Sequence, residues 1–354
     1  MLKKLKVQNE LKAMNRRFAR LTALVAAGVI GLAVPPAHAD LLVSSGSTDQ
    51  VLRYNGATGA FIGVFASDPT PAVATSGLKF PQGLVFGPDG NLYVASNPMG
   101  NDSVLRFNGT SGAFIDTFTS GGVLNQTRGL TFGPDGNLYV SSEGSDDVQR
   151  YSGTTGVFDG VFASGGGLSG PRGLTFISPD SNLYVASFGG ENVKRFNGTT
   201  GVFLDIFAPA DPAIGPLNGG PFDLTFGPDG NLYVGADANN NVQRYNGTTG
   251  DFIDVFASGG GLATPRGILF GPDDHLYVAS RDSNQVLRYN GTTGVFMDIF
   301  VSASSGGLDF PTFLTFTTSA PPPPPNGAPE PSTLLLLGFG LAGLGLWRRF
   351  EPRN

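Results

Sequence analysis

The sequence predicts an all-β fold built from repeated small sheets, and three observations lead to this prediction. A ten-residue phrase, GPDGNLYVAS, begins at Gly87 and returns almost unchanged from Gly133 and Gly227. Altered copies begin at Ser178 and Gly271, so the copies lie about 45 residues apart. The composition is rich in turn formers and aromatic residues, with 53 Gly, 26 Pro and 28 Phe. Turn-rich repeats of this length are typical of β-structure.

Each repeat contains four short strands in the same order. An apolar run opens the unit, a G-P-D-G turn follows, and the strand NLYVAS comes next. A third strand with the pattern V-x-R leads through an N-G-T-T-G turn into a fourth, aromatic strand. Both turn sequences suit hairpins, so each unit predicts a small antiparallel sheet. The opening run begins at Pro81, Thr127, Pro171, Pro221, Pro265 and Pro311.

The second strand of the repeat is apolar on both faces. In NLYVAS, Leu92 and Val94 face one side of the sheet, whereas Tyr93 and Ala95 face the other. Such a sheet must be covered on both faces, and stacking sheets around an axis covers them, so we predict a β-propeller. The opening strand and the arginine strand each occur six times, which predicts six four-stranded blades.

The ring closure follows from the position of the incomplete repeat. NLYVAS-like strands occur five times, and the missing copy is DLLVSS at residues 40–45. The N-terminal strand 41–45 is therefore expected to pair with the C-terminal strand 313–317 and to close a propeller that spans residues 40–318.

Two residue types recur in the third and fourth strands. The third-strand arginines, such as Arg244, have aspartates such as Asp254 at a constant distance along the chain, which predicts ion pairs across the hairpin. Phenylalanines recur at one position of the fourth strand and are predicted to fill the space between blades. They are Phe65, Phe118, Phe162, Phe207, Phe256 and Phe300.

The phrase P-x-G-L-x-F-G-P-D-G-N-L-Y-V-A resembles the repeats of NHL-repeat and streptogramin-lyase-like propellers. The resemblance covers roughly residues 40–318. It implies a propeller fold but leaves the function open, because this fold hosts lyases, lactonases and binding modules.

The pattern of residues 1–39 predicts a signal peptide. Arg16, Arg17 and Arg20 precede an apolar run from Leu21 to Val34, and Ala37-His38-Ala39 offers small residues for cleavage after Ala39. Signal peptidase is the partner that this pattern implies. The alternative is a membrane anchor, but the run is shorter than the ~20 residues that a spanning helix needs.

The C-terminal region begins with a Pro-rich linker at residues 319–328, and a tail follows at 329–354. The tail carries Pro329-Glu330-Pro331, an apolar run, and Arg348 and Arg349. This arrangement resembles the PEP-CTERM sorting signal. The resemblance implies transient association of the C-terminal helix with the inner membrane, processing by an exosortase, and placement on the surface of a Gram-negative bacterium or outside it. An ordinary tail anchor is the alternative.

The charge and the cysteine content exclude some classes of partner and of metal site. Residues 40–328 contain 25 acidic and 12 basic residues, a net charge of −13. An acidic body repels a polyphosphate backbone, so a nucleic-acid partner is not expected. Cysteine is absent, so neither disulfides nor thiolate metal sites can form.

The channel mouth opposite the tight hairpins is the candidate binding site. Its predicted residues start the opening strands or follow NLYVAS: Gln82, Arg128, Glu143, Arg172, Asp223, Asp237, Arg266 and Arg281. Arg128, Arg172 and Arg266 occupy equivalent positions and could bind an anion such as a uronate or a phosphate. The alternative is that each arginine pairs with a neighbouring carboxylate.

Catalysis is not the favoured expectation. Streptogramin lyases use a histidine base, and the one histidine after Ala39 is His275, which occupies a hairpin turn. No spacing selects a set of metal ligands, so no cofactor or metal is predicted; calcium is the alternative, since oxygen ligands would suit it. The sequence thus predicts a non-catalytic binding or scaffold module for exopolysaccharide or a protein. The alternative is a lyase or lactonase-like enzyme at the mouth.

Overall fold

The computed structural model describes residues 39–68, 77–98, 100, 102–176, 180–209, 217 and 219–317. These residues form six four-stranded antiparallel sheets, so the predicted all-β, six-bladed propeller is confirmed. The predicted signal peptide at residues 1–39, except Ala39, the predicted linker at 319–328 and the sorting signal at 329–354 lie outside the described residues. No helix within the described ranges is long and apolar enough to span a membrane.

The blades follow the chain order, and only the first takes strands from both ends of the propeller. Blade 1 contains β1 (Leu41–Ser45), β2 (Gln50–Tyr54), β3 (Phe61–Ser67) and β24 (Pro311–Phe316). Blade 2 contains β4 (Leu84–Phe86), β5 (Leu92–Ser96), β6 (Ser103–Phe107) and β7 (Phe114–Thr117). Blade 3 contains β8 (Thr127–Phe132), β9 (Leu138–Ser142), β10 (Asp147–Tyr151) and β11 (Phe158–Ala163).

The remaining blades repeat this plan. Blade 4 contains β12 (Pro171–Phe176), β13 (Leu183–Ser187), β14 (Asn192–Phe196) and β15 (Phe203–Ala208). Blade 5 contains β16 (Pro221–Phe226), β17 (Leu232–Ala236), β18 (Asn241–Tyr245) and β19 (Phe252–Ser258). Blade 6 contains β20 (Pro265–Phe270), β21 (Leu276–Ser280), β22 (Gln285–Tyr289) and β23 (Phe296–Val301). Short 3-10 turns span Gly46–Thr48, Glu143–Ser145 and Ser305–Gly307.

The two chain ends of the propeller meet in blade 1. β24 runs antiparallel to β1, with Leu41 opposite Phe316 and Val43 opposite Leu314. Beyond the ladder, the Asp40 N–H donates to the Thr317 hydroxyl at 2.9 Å, and the Thr317 N–H donates to the Asp40 carbonyl at 2.8 Å.

The hydrophobic core lies between successive blades. The second strands are fully buried, as their apolar residues on both faces predict. In blades 2 to 6 a tyrosine of the second strand meets a phenylalanine at the end of the fourth strand edge to face, as in Tyr233–Phe256 with ring centroids 4.8 Å apart. The Arg244 guanidinium lies over Phe256 and binds Asp254 at 2.6 Å, and this pairing recurs in neighbouring blades.

The opening strands contact one another around the centre, and glycine permits this approach. A Cβ added to Gly129 would lie 2.5 Å from the Arg172 carbonyl oxygen of the next blade. Polar links join the blades on one side of the ring. In each link an Asp or Asn side chain accepts the N–H of the residue that enters the next blade: Asp49 from Phe80, Asp102 from Thr127, Asp146 from Gly170, Asn240 from Thr264, and Asn284 from Phe310.

Candidate binding site at the channel mouth

The tight hairpins lie together on one face of the ring, here called the hairpin face. In blade 3, the Gly153 N–H of the outer hairpin donates to Asn137 of the inner hairpin at 3.2 Å. The longer connections leave from the opposite end of the strands, here called the mouth face. The first residues of the opening strands and the residues that follow each second strand therefore lie on the mouth face.

Five charged residues of the mouth face form one ion-pair chain. Arg128 binds one oxygen of Glu143 through Nε, and Arg172 Nη2 binds the other oxygen at 2.8 Å. Asp237 Oδ2 lies 3.9 Å from Arg172 Nη1 and 3.4 Å from Arg266 Nη2. Three guanidinium groups from blades 3, 4 and 6 thus share two carboxylates. We call these five residues the mouth cluster.

Two aromatic rings support the mouth cluster. Arg172 stacks on Phe188, with its guanidinium carbon 3.2 Å from the ring centroid. Arg172 and Arg266 both lie over Phe222, at 4.8 Å and 3.9 Å from its centroid. Phe222 is fully buried and meets Phe313 of blade 1 at 5.5 Å. Phe222 therefore links the arginines of the mouth cluster to the opening strand of blade 1.

The pKa values of the mouth cluster are shifted by two causes. The side chains are largely buried, and three arginines face only two carboxylates. Burial lowers the pKa of Arg266 to about 9, and repulsion from Arg172 acts in the same direction, although Asp237 opposes both. Burial also lowers the pKa of Arg172. Burial alone would raise the pKa of Glu143, but attraction to Arg128 and Arg172 outweighs it and lowers that pKa. The pKa of Asp237 is raised by burial.

Hydrogen bonding within the cluster is incomplete. Arg172 and Arg266 are each 8% exposed. Arg172 Nη1, Arg266 Nε and Asp237 Oδ1 are buried without a hydrogen-bond partner within the described residues. Buried polar atoms usually have partners, and unpartnered ones in a native site call for an explanation such as a bound molecule.

The structure joins five of the predicted site residues in the mouth cluster, and within the described residues the other three form no ion pair with it. Gln82 is fully buried, and its Oε1 has no partner within the described residues. The Asp223 carboxylate lies between inner strands, where it accepts the Ile268 N–H at 3.0 Å and forms no ion pair within the described residues. Arg281 pairs with the adjacent Asp282 at 2.6 Å and stacks on Phe310.

A cleft beside the mouth cluster was missed by the sequence reasoning. It has a volume of about 750 Å³ and opens over blades 1, 2 and 3. We call it the side cleft; its lining includes Asp49, Lys79, Phe80, Asn97, Gln126 and Arg128. Of the residues that line it, the predicted site includes only Arg128.

His275 lies on the hairpin face. Its N–H donates to Asp273 at 3.2 Å, and its Nδ1 accepts the Gly291 N–H at 3.4 Å. Asn137 makes the same two contacts in blade 3, with Asp135 and Gly153. His275 thus occupies a turn position. Within the described residues, no group of three or more His, Cys, Asp or Glu side chains could hold a metal ion.

Comparisons with known proteins concern the tail and the fold separately. The family model of the PEP-CTERM protein-sorting motif matches residues 328–349. This motif indicates exosortase processing and export across the inner membrane to the cell surface in Gram-negative bacteria. No curated protein matches the sequence.

Solved structures of other propellers resemble the chain at low sequence identity. A chain of a nidogen/laminin complex aligns with a TM-score of 0.62 and 17% identity over 79% of this chain and 98% of that one. A virginiamycin B lyase from Staphylococcus aureus aligns with a TM-score of 0.53 and 18% identity over 71% and 80%. A streptogramin B lyase aligns with a TM-score of 0.51 and 20% identity over 64% and 70%. These likenesses establish the fold alone.

Proposed function

We propose that this exported propeller is a non-catalytic binding module whose mouth face holds a glycan or protein ligand at the cell surface. The observation that supports this proposal is the mouth cluster itself, in which three guanidinium groups share two carboxylates and several buried polar atoms have no partner within the described residues. A ligand that supplies negative charge or hydrogen-bond acceptors would complete the set.

Binding fits the cluster better than acid–base catalysis does. A general base needs a pKa near the working pH, whereas Arg128 and Arg172 lower the pKa of Glu143 and occupy both of its oxygens. His275 cannot take the role at the mouth, because it is bound into a turn on the hairpin face.

Retention on the cell envelope tests the proposal. Cells of the source species that lack the protein are incubated with the purified full chain, and the retained fraction is measured. The key variant is Arg172→Gln, which removes one of the three guanidinium groups that share two carboxylates. The pairs Arg128–Glu143 and Arg266–Asp237 remain. We expect retention to fall about tenfold, as for the loss of one charge-assisted contact.

The matched control is Arg150→Gln, because Arg150 lies in the third strand of blade 3, outside the mouth cluster, and pairs with Asp159 at 2.7 Å. It should retain wild-type binding to the envelope. Equal retention of the wild type and Arg172→Gln, or a loss confined to Arg150→Gln, would contradict a binding role for the mouth face.

A further inference from the structure

The side cleft contains an open cationic edge. Arg128 uses Nε for Glu143, and within the described residues its guanidinium forms no second hydrogen bond. The side chain is 17% exposed and lines the cleft. A guanidinium with free terminal nitrogens can bind a carboxylate through two parallel hydrogen bonds. Arg128 therefore presents an anion-binding fork at one end of the cleft.

A buried hydrogen-bond acceptor lies in the same cleft. Asn97 is 6% exposed, and its Oδ1 has no partner within the described residues. Its backbone is fixed, because the Asn97 N–H donates to the Lys79 carbonyl at 2.9 Å. An unpartnered amide oxygen requires a donor such as a hydroxyl group.

A fixed aromatic ring also lines the cleft. Phe80 packs against Phe310 with ring centroids 5.3 Å apart, and its N–H donates to Asp49 at 2.8 Å. Gly46 lies beneath both rings, and a Cβ there would come within 3.1 Å of Phe310 and 3.3 Å of Phe80. The absence of a side chain at Gly46 therefore lets both rings pack closely against the backbone. Lys79 in the same wall is neutralised by Asp49 and Asp68.

We propose that the side cleft binds a uronate residue of an acidic oligosaccharide. The carboxylate of the sugar binds the free edge of Arg128, one hydroxyl donates to Asn97 Oδ1, and the C–H face of the sugar packs on Phe80. One molecule with a carboxylate, several hydroxyls and a flat apolar face satisfies all three features, and a volume of about 750 Å³ suits a small oligosaccharide. This inference rests on the proposed binding role of the mouth face and names its ligand class.

Calorimetry with the full chain tests the ligand class directly. The probes are three trisaccharides, built from galacturonate, mannuronate and glucuronate, their methyl esters, and sodium sulfate as a simple anion. We expect at least one acid to bind about tenfold tighter than its ester, the difference that one charge-assisted fork supplies. Sulfate should bind far more weakly, because it makes no use of Asn97 or Phe80.

Two variants assign the contacts. Arg128→Gln introduces the residue that blade 2 carries at the matching position, Gln82, and should remove the preference for the acid over the ester. Asn97→Ala should weaken acid and ester alike by about threefold to tenfold. Arg150→Gln, outside the side cleft, should change neither affinity. The ratio of acid to ester affinity does not depend on the folded fraction, so a partly unfolded variant still gives a clear result.

Several outcomes would overturn the inference. These are equal binding of acid and ester by the wild type, an unchanged preference in Arg128→Gln, sulfate binding as tight as the trisaccharides, or no binding of any trisaccharide. If envelope retention depends on Arg172 while no uronate binds, the binding role stands and only the ligand class is wrong. If uronates bind but Arg172→Gln is retained on the cell envelope as well as the wild type, the proposed function is wrong.

Discussion

The hairpin face and the mouth face of the propeller both carry polar and charged residues. The hairpin face repeats them from blade to blade, whereas the mouth face varies them. On the hairpin face, blades 2 to 6 repeat one arrangement; in blade 3, Asp135 accepts the Tyr139 hydroxyl at 2.9 Å and the Asn137 N–H at 3.0 Å. On the mouth face, equivalent positions hold different residues in different blades. The starts of the opening strands in blades 2 to 6 and then blade 1 carry Gln82, Arg128, Arg172, Phe222, Arg266 and Thr312.

This difference separates residues that serve folding from residues that are free to serve a ligand. The repeated groups of the hairpin face complete one another within the blade. Of the nine buried side-chain atoms without a partner in the described part of the chain, five belong to the mouth cluster or lie beside it: those of Gln82, Asn97, Arg172, Asp237 and Arg266. Unmet hydrogen-bonding capacity is concentrated where the repeat is broken, which is typical of functional sites.

The largest effect should come from the repeated interior that both faces share. Phe256→Ala removes a ring that is 6% exposed and packs edge to face on Tyr233. We expect a loss of about 3–5 kcal/mol in the free energy of unfolding, measured by chemical denaturation. The control is Val255→Ala, because Val255 is 40% exposed and should change stability by less than about 0.5 kcal/mol. Equal stability of the two variants would show that the recurring phenylalanines do not carry the blade contacts.

A smaller loss is expected when the charge balance of the mouth is disturbed. Glu143→Gln leaves Arg128, Arg172 and Arg266 with the single carboxylate of Asp237. Breaking a fully buried pair costs about 3–5 kcal/mol, and partial exposure reduces our expectation to about 2–3 kcal/mol. The double variant with Arg172→Gln should recover part of the loss, because it removes one guanidinium. Full stability of Glu143→Gln alone would mean that the arginines do not repel one another.

The fold could be predicted from the sequence because the repeat encodes it many times over. The second strand is apolar on both faces, so only a partner sheet on each side can bury it, and the incomplete repeat at residues 40–45 indicates which strand β24 must meet. The arginines of the mouth could be placed for the same reason, since position within the repeat fixes position on the ring.

The details of the site could not be predicted, because they depend on contacts between blades. Asp223 occupies a position that is Gly in four other opening strands, yet its carboxylate reaches the Ile268 N–H of the next blade rather than an arginine. The side cleft depends on the link from Asp49 to Phe80, which joins two blades across 31 residues. An Asp or Asn precedes the third strand in five blades, but the local sequence does not show which N–H of the next blade it meets.

The pH dependence of the stability should reveal the raised pKa of Asp223. Burial raises its pKa to about 7, although hydrogen bonds from Ile268 and Leu224 oppose the shift. Between its ordinary value near 4 and about 7, the folded protein holds a proton that the unfolded chain releases. Stability is therefore greatest at the acidic end of this window and falls as pH rises through it.

Asp223→Asn should flatten this fall, because asparagine accepts the same N–H without titrating. Asp223→Gly, which introduces the residue found in four of the other five repeats, should flatten it as well. The measurement is Tm from pH 5 to pH 8 for the wild type and both variants. Parallel profiles for all three proteins would rule out a raised pKa at Asp223.

The smallest effect should come from His275, which replaces the repeated asparagine in the inner hairpin of blade 6. In blade 3, Asn137 Nδ2 donates to Asp135 Oδ2 at 2.8 Å, and His275 stands at the matching position of blade 6. His275→Asn should restore that hydrogen bond to Asp273 and raise stability by about 0.5 kcal/mol, and the reverse change, Asn137→His, should lower it by a similar amount. Neither variant should alter retention on the cell envelope, because both positions lie opposite the mouth. A loss of envelope retention in His275→Asn with an unchanged Tm would instead show that the hairpin face takes part in binding. The proposal that only the mouth face binds would then be wrong.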